Sequence, residues 1–393
     1  MPSVSDIHAL FLGYAQNLFQ LRHNPARNLY GYLYEEVERY WAANVPPHLL
    51  RPPNFEDILY ALYALAATYR AGIFTAALGA LVAVKSLPEV VHIRQPKRVD
   101  ENVLRHLSEH LIDSLLEEFR RRCQASLPHF AQLEGFFSEL NRVFDIAICT
   151  TNYDNLILRV SPPGIETGFD LVNGGVSDPK RILNRASWSC ILHLHGSVHF
   201  DMDINKGDLH AIFWQDDLSQ RFHQNSFGRS ANHSAEGNVF PTSAIIAGYG
   251  KTTQIQRNPF RTYYSELDRL VCGCDAVLFL GYGFGDDHLN NAFAGFHDGR
   301  DRPVVVIDYA DDKVMTACSG FDESLTATRA LRLFGTPHHR MSALGYKIPM
   351  TVKDLKAAAD FERCKDPGGR LSLWYNGMLA ACNNTSKVLA ELA

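Results

Sequence analysis

The sequence predicts an α/β fold, a Rossmann-like open parallel sheet with a helical N-terminal region and a small helical C-terminal extension. Three observations point there. Apolar residues recur at helical spacing through roughly the first 140 positions. From Phe144 onward the texture changes to short apolar runs closed by polar residues, the pattern of strands buried on both faces. Helix-spaced stretches separate those runs, so the strands are expected to be parallel and joined by right-handed crossovers. On this reading residues 1–320 form one domain, helical over about 14–143 with its α/β core over about 144–310, and residues 321–393 form the extension.

The helical elements follow in order. Asn54-Phe55-Glu56-Asp57 opens a helix, with acidic side chains in the first turn, where the dipole favours them. A second helix runs from Glu101 to Cys123, and Val103, Leu104, Leu107, Leu111, Ile112, Leu115, Leu116 and Phe119 form its apolar stripe. A third spans about Pro128 to Arg142. The run from Ala71 to Val84 is 14 residues between Arg70 and Lys85. That is short of the ~20 needed to cross a bilayer, so a buried helix is expected and no membrane span.

Composition narrows the classes of function. A net charge of -5 supplies no overall electrostatic attraction for nucleic acid, and no direct nucleic-acid binding is expected. Arg120, Arg121 and Arg122 form the densest basic run, expected as the solvated face of a helix. None of the eight cysteines forms a Cys-x-x-Cys pair, so no structural zinc is expected. Cys272-Gly273-Cys274 precedes an apolar run and is expected in the core. Scattered thiols fit a reducing compartment, and the N-terminus lacks the basic start and apolar stretch of a secretory signal. The expected location is the cytoplasm.

The expected strands run from Phe144 to Thr150, Ser189 to Leu194, Ser243 to Ala247, Ala276 to Gly281 and Pro303 to Asp308, with a helix over Tyr263 to Leu270. Asp201 to Asn238, rich in Asp, His, Asn, Ser and Gly, reads as a long loop or insertion. Three polar segments sit directly after expected strands: Thr150-Thr151-Asn152-Tyr153-Asp154, His193-Leu194-His195-Gly196-Ser197 and Gly281-Tyr282-Gly283-Phe284-Gly285-Asp286. Ligands of open α/β sheets bind beyond the carboxyl ends of the strands, so the three segments are expected to share one crevice.

Each segment offers a chemistry beside a plainer role. The glycines let backbone amides approach a phosphate, and a helix from about Asp287 turns its N-terminus there; tight turns that bind nothing have the same pattern. A histidine at a strand end can accept a proton near neutral pH. His193 and His195, expected on one strand face, and His199 have no carboxylate or cysteine at ligand spacing, so no metal is expected. Asn152 and Asp154 taken alone read as a turn that caps the next helix. Asp308 reads as a turn residue or as a partner for a ribose hydroxyl.

Taken together, and in this order, the segments resemble the sirtuin family, specifically the bacterial sirtuin-like NAD-hydrolysing proteins of antiphage defence. TTNYDNLI is similar to the family's Thr-Gln-Asn-x-Asp loop, LHLHGSVH to its His-Gly-Ser segment, and GYGFGDDHLN to its late nucleotide loop. The resemblance implies that Asn152 holds the nicotinamide ribose and positions the attacking water, and that His195 is the general base. It implies that Asp154 contacts the nicotinamide carboxamide, and that Gly281 and Gly283 lie near the phosphates and adenosine. Thr151, Gly196, Ser197 and Asp286 would line the same dinucleotide. The counterpart of the family's first glycine loop is Leu10 to Ala15, which retains Gly13 without a second glycine or a serine. The four-cysteine zinc module of protein-deacylating sirtuins has no counterpart.

The implied activity is hydrolysis of NAD+, taken as substrate, to nicotinamide and ADP-ribose. The resemblance also implies a homo-oligomer and a partner such as a HerA-type helicase/ATPase or a short Argonaute protein. A second expectation is a weakly active scaffold that binds NAD or ADP-ribose.

Overall fold

Strand side chains alternate between two faces, and here the alternation separates two hydrophobic layers. The computed structural model describes residues 4–15, 17–46, 52–69, 87–92, 94–126, 128–172, 175–202, 212–220, 233–235, 238–240, 244–248, 251–293, 296, 302–310, 326–334, 349–366 and 369–393. The Ala147–Thr150 strand lies parallel to Cys190–His193, with Thr150 opposite His193. Val277–Leu280 lies parallel to Pro303–Ile307, which is parallel in turn to Gly369–Trp374. The antiparallel strand Glu362–Asp366 closes that sheet. Ala147, Val277, Phe279, Val304, Val306, Leu371 and Leu373 face one core, where the Phe260–Gly273 helix supplies Phe260, Tyr263 and Leu267. Ile148, Leu278, Leu280, Val305, Ile307 and Trp374 face the other, covered by Phe136, Phe137 and Leu140 of the Phe130–Val143 helix. Helices on both faces of a mostly parallel sheet are the α/β architecture expected.

A third core belongs to the N-terminal region. The Glu101–Cys123 helix packs its stripe against helices Val4–Ala15 and Phe55–Tyr69, and both of these contact the Leu29–Asn44 helix. Its start is fixed by Asp100, whose side chain accepts a hydrogen bond from the Val103 N–H at 2.9 Å. Asn54 and Asp57 start the Phe55–Tyr69 helix reciprocally, each side chain accepting from the other's backbone N–H at 2.9 and 2.7 Å. Tyr153, Val198, Ile245 and Ala247 join this core from the motif-bearing half. The helical region therefore packs against the loops at the strand ends.

Several expectations change. Leu10 to Ala15, with Gly13, lies inside the Val4–Ala15 helix, so it forms no phosphate loop. The described part of Ser243 to Ala247, residues 244–247, is buried but forms no strand. These residues pass between two layers, Ala244 and Ile246 facing the sheet core and Ile245 and Ala247 the helical core. The Ile246 N–H donates to the His195 carbonyl at 2.8 Å instead of to a neighbouring strand.

The presumed loop from Asp201 to Asn238 contains strand: Phe200–Met202 pairs with Ile212–Trp214, and His233–Ala235 with Asn238–Phe240. Small strands Gln20–Leu21, Asn24–Asn28, Val90–His92 and Gln95–Lys97 also interrupt the helical region. Beyond residue 321 the helices Pro349–Ala358, Gly377–Cys382 and Thr385–Leu392 accompany the two unforeseen strands Glu362–Asp366 and Gly369–Trp374. The Ala71 to Val84 run and Ser243 lie outside the described residues. Among those described, no helix is long and apolar enough to cross a membrane.

The basic run divides by environment. Arg121 and Arg122 pair with Glu118 on the surface at 2.7 Å each. Arg120 is instead buried and donates from Nε to the Val198 carbonyl at 2.7 Å. It ties the Glu101–Cys123 helix to the loop that follows His195, so the expectation of a wholly solvated face holds only for its two neighbours.

Candidate active site

The first two polar segments are bonded to each other through their backbones. Leu194 donates to the Thr150 carbonyl at 2.9 Å and Val198 to the Tyr153 carbonyl at 2.7 Å. Asn152 is exposed at the turn, and its N–H donates to Thr150 Oγ1 at 3.1 Å; Thr151 beside it is half-buried. Tyr153 is buried and donates its hydroxyl to the Ile246 carbonyl at 2.9 Å. Asp154 is also buried. Its Oδ1 accepts from the Leu156 N–H at 2.8 Å, at the start of the short helix Leu156–Val160, while Oδ2 has no hydrogen-bond partner among the described residues. Burial raises its pKa.

The His-Gly-Ser segment needs its glycine. Gly196 has φ +100°, and a Cβ there would lie 2.6 Å from the Ala244 carbonyl oxygen. Ser197 is fully buried, and its Oγ accepts from the His199 N–H at 3.3 Å. The strand ends at His193, so His193 and His195 do not share a strand face as expected. His193 sits between the Phe200 and Trp214 rings with neither ring nitrogen hydrogen-bonded among the described residues, and burial lowers its pKa to about 3. His199 stacks on Trp214 and contacts the Gln215 carbonyl through Nδ1 at 2.9 Å. The two flanking histidines are therefore structural.

His195 turns the other way, to the third segment. Its Nε2 is 3.3 Å from His288 Nε2, and His288 Nε2 is 3.1 Å from the Tyr264 hydroxyl. Asp286 stands beside them and pairs with Lys251 at 3.2 Å; Lys251 reaches Glu56 of the helical layer at 3.0 Å. Burial, followed by the Lys251 charge, lowers the His195 pKa to about 3 against a smaller opposing effect of Asp286. Burial tends to raise the pKa of Asp286, but Lys251 and the histidines outweigh it and hold the pKa below the ordinary carboxylate value. Burial works against the charge of Lys251, yet Glu56 and Asp286 raise its pKa.

The glycine loop lies open above this cluster. Gly281 has φ +62°, and a Cβ at Gly281 or Gly283 would meet nothing within 4 Å. The Gly281 N–H is already bonded to the Ile307 carbonyl at 2.9 Å. Phe284, buried against Phe279 and Phe334, anchors the loop. Arg329, on the Thr326–Phe334 helix, donates to the Gly283 carbonyl at 2.8 Å and brings a guanidinium to its rim. The helix expected from about Asp287 is a single turn, Asp287–Asn290. Asp308 makes backbone bonds to Trp374 and Gly377.

The structure thus brings His195 and Asp286 together and bonds the Thr150–Tyr153 turn to the His195 loop. Among the described residues no hydrogen bond or ion pair joins the Asn152 or Asp154 side chain to His195. Glu56, Lys251, Tyr264 and His288 escape the sequence reading. His288 stands in the third motif, where a histidine five residues after Gly283 was the available signal; Glu56 reads only as a helix starter, and Lys251 carries no local pattern.

Candidate ligand atoms of His195, Asp286 and His288 lie within 4.8 Å of one another, close enough to be tested against a metal. Their arrangement fits one poorly, because the Lys251 ammonium is already on the Asp286 carboxylate.

A buried imidazole, a glycine loop and an ion-paired carboxylate gather beyond the carboxyl ends of parallel strands, the place where open α/β sheets bind their ligands. Residues 146–327 match the SIR2-like domain family, and this part of the chain is a sirtuin-like domain with an NAD-related function. No curated protein matches the chain.

Proposed function

We infer that the chain is an NAD+ glycohydrolase that cleaves NAD+ to nicotinamide and ADP-ribose. The observation that carries this is the location of His195. It is a buried imidazole at a strand end, bonded through its loop to the Asn152 turn and directed at the loop that carries Gly283 and Asp286. Breaking the nicotinamide–ribose bond develops positive charge on the ribose, which oriented polar groups stabilise without reorganising. In this reading Asn152 and Thr151 meet the ribose and the attacking water, and Asp154 meets the carboxamide. Gly196 and Ser197 shape the loop under them. Gly281, Gly283 and Asp286 accept the rest of the dinucleotide. Arg329 at the glycine loop supplies charge for the pyrophosphate, a task for which the Gly13 segment, being helical, offers no loop.

The test is nicotinamide release by the purified full chain, alone and with candidate partners. The helical Gly13 segment also favours a second reading, a scaffold that binds NAD or ADP-ribose weakly; binding without turnover under every condition would select it. Antiphage defence, activation by a HerA-type helicase/ATPase or a short Argonaute protein, self-assembly and a cytoplasmic location complete the proposal. Light scattering with and without such a partner tests the assembly.

A further inference from the structure

We propose that His288 is a positioning residue of the hydrolase site: it takes up the Nε2 proton of His195 when His195 removes a proton from the bound ribose on Nδ1. The inference deepens the function proposed above and rests on it.

The geometry assigns the pair. The two Nε2 atoms are 3.3 Å apart and the ring centroids 5.6 Å apart. The nitrogens are nearer than the centroids by about two ring radii, so each ring aims Nε2 at the other. That arrangement is an N–H···N hydrogen bond, in which one nitrogen carries the hydrogen and the other accepts it. The Tyr264 hydroxyl lies 3.1 Å from the same His288 nitrogen. In the proposed arrangement the lone pair of His288 Nε2 is shared by the Tyr264 hydroxyl and the His195 N–H, with the hydrogen of the pair on His195 Nε2. Nδ1 is then the nitrogen of His195 that can take a proton.

The surroundings give the transfer its direction. His195 is 4% exposed and faces Lys251, Asp286 and His288. His288 is half-buried and faces Asp286, Asp287, Lys251 and Tyr264, with Glu56 beyond Lys251. Burial and the Lys251 ammonium disfavour a cation on both rings and Asp286 favours one on both, but His288 is the less buried of the two and has Asp287 as a second carboxylate. In the step, a ribose O–H bond breaks and an N–H bond forms at His195 Nδ1. The Nε2–H bond of His195 breaks, and an N–H bond forms at His288 Nε2. The ribose oxygen keeps its electron pair, and the positive charge resides on His288. No oxidant or reductant is involved.

The experiment combines kinetics with a tautomer measurement on the full chain. His288→Gln and His288→Ala are expected to lower kcat by about 10²-fold, with KM nearly unchanged. A protonated His288 cannot accept, so wild-type kcat falls with acidification through the titration of the pair; in His288→Gln that acid limb moves to lower pH. Added imidazole partly restores His288→Ala. Wild-type kcat and acid limb in His288→Gln would overturn the relay, as would a lower kcat with an unmoved limb and no imidazole rescue. Two-bond 15N–1H couplings in histidine-labelled protein are expected to place the His195 hydrogen on Nε2. A hydrogen on Nδ1 overturns the relay even if NAD is hydrolysed. The expected tautomer in a chain that never turns over NAD overturns the hydrolase, and the relay falls with it.

Discussion

Lys251 and Asp286 meet at 3.2 Å, and the same ammonium reaches Glu56 at 3.0 Å, joining the helical layer to the glycine loop. Lys251→Met leaves both carboxylates without that charge. A loss of about 1–3 kcal/mol is expected near neutral pH, read from the urea midpoint. The Asp286 pKa is lowered in the folded chain. Its contribution is therefore present above the unfolded carboxylate pKa of about 3.9 and is lost as pH falls through the lower folded value. The gap between wild type and variant should accordingly narrow in strong acid; a gap that stays constant there would remove the ion pair from the explanation.

Asn152→Ala and His195→Ala should each lower nicotinamide release by at least about 10²-fold. Asn152 is exposed, so its variant should melt as the wild type does. Unchanged turnover in either variant would place the chemistry elsewhere.

Gly196→Ala tests the shape of the His195 loop. A side chain there combines φ +100° with a 2.6 Å approach to the Ala244 carbonyl oxygen. Backbone strain alone costs about 1–3 kcal/mol, and the contact adds to it. Chemical denaturation measures the loss, and wild-type stability would contradict the described loop.

His193 offers a test of linkage. Burial lowers its pKa to about 3, whereas an unfolded histidine titrates near 6.5. Between those values the unfolded chain binds the additional proton, so stability falls as pH drops, by up to about 1.4 kcal/mol per unit from this residue. His193→Leu removes that slope while filling the niche against Phe200 and Trp214. Urea unfolding at about pH 7.5 and about pH 5.5 should show the variant gaining roughly 1 kcal/mol on the wild type at the lower pH. Parallel behaviour of the two proteins would mean the imidazole is not held neutral.

What could be read in advance depended on whether the signal was local. The Glu101–Cys123 helix is legible to its end residues because its stripe from Val103 to Phe119 repeats over more than four turns. The strands before Thr151, Leu194 and Gly281 are legible because each is a continuous apolar run closed by polar residues. Gly369–Trp374 was missed since its partner Pro303–Ile307 lies some sixty positions upstream, and Glu362–Asp366 was missed as a charged edge strand that resembles a loop. Ala244 to Ala247 has the apolarity of a strand, yet its Ile246 N–H is claimed by His195. In the site, motifs could place His195 and Asp286, each beside a strand end. Lys251 and Glu56 are 195 positions apart and meet only in the folded chain.

The place of Gly369–Trp374 between Pro303–Ile307 and Glu362–Asp366 has a consequence for biosynthesis. The edge of Pro303–Ile307 that it pairs with emerges from the ribosome without a partner. At ~5–20 residues per second the wait for that partner is roughly 3 to 12 s. Through that interval a row of valines with open amides and carbonyls is available to any other extended chain nearby. A nascent chain arrested in this window should be the form most dependent on chaperones.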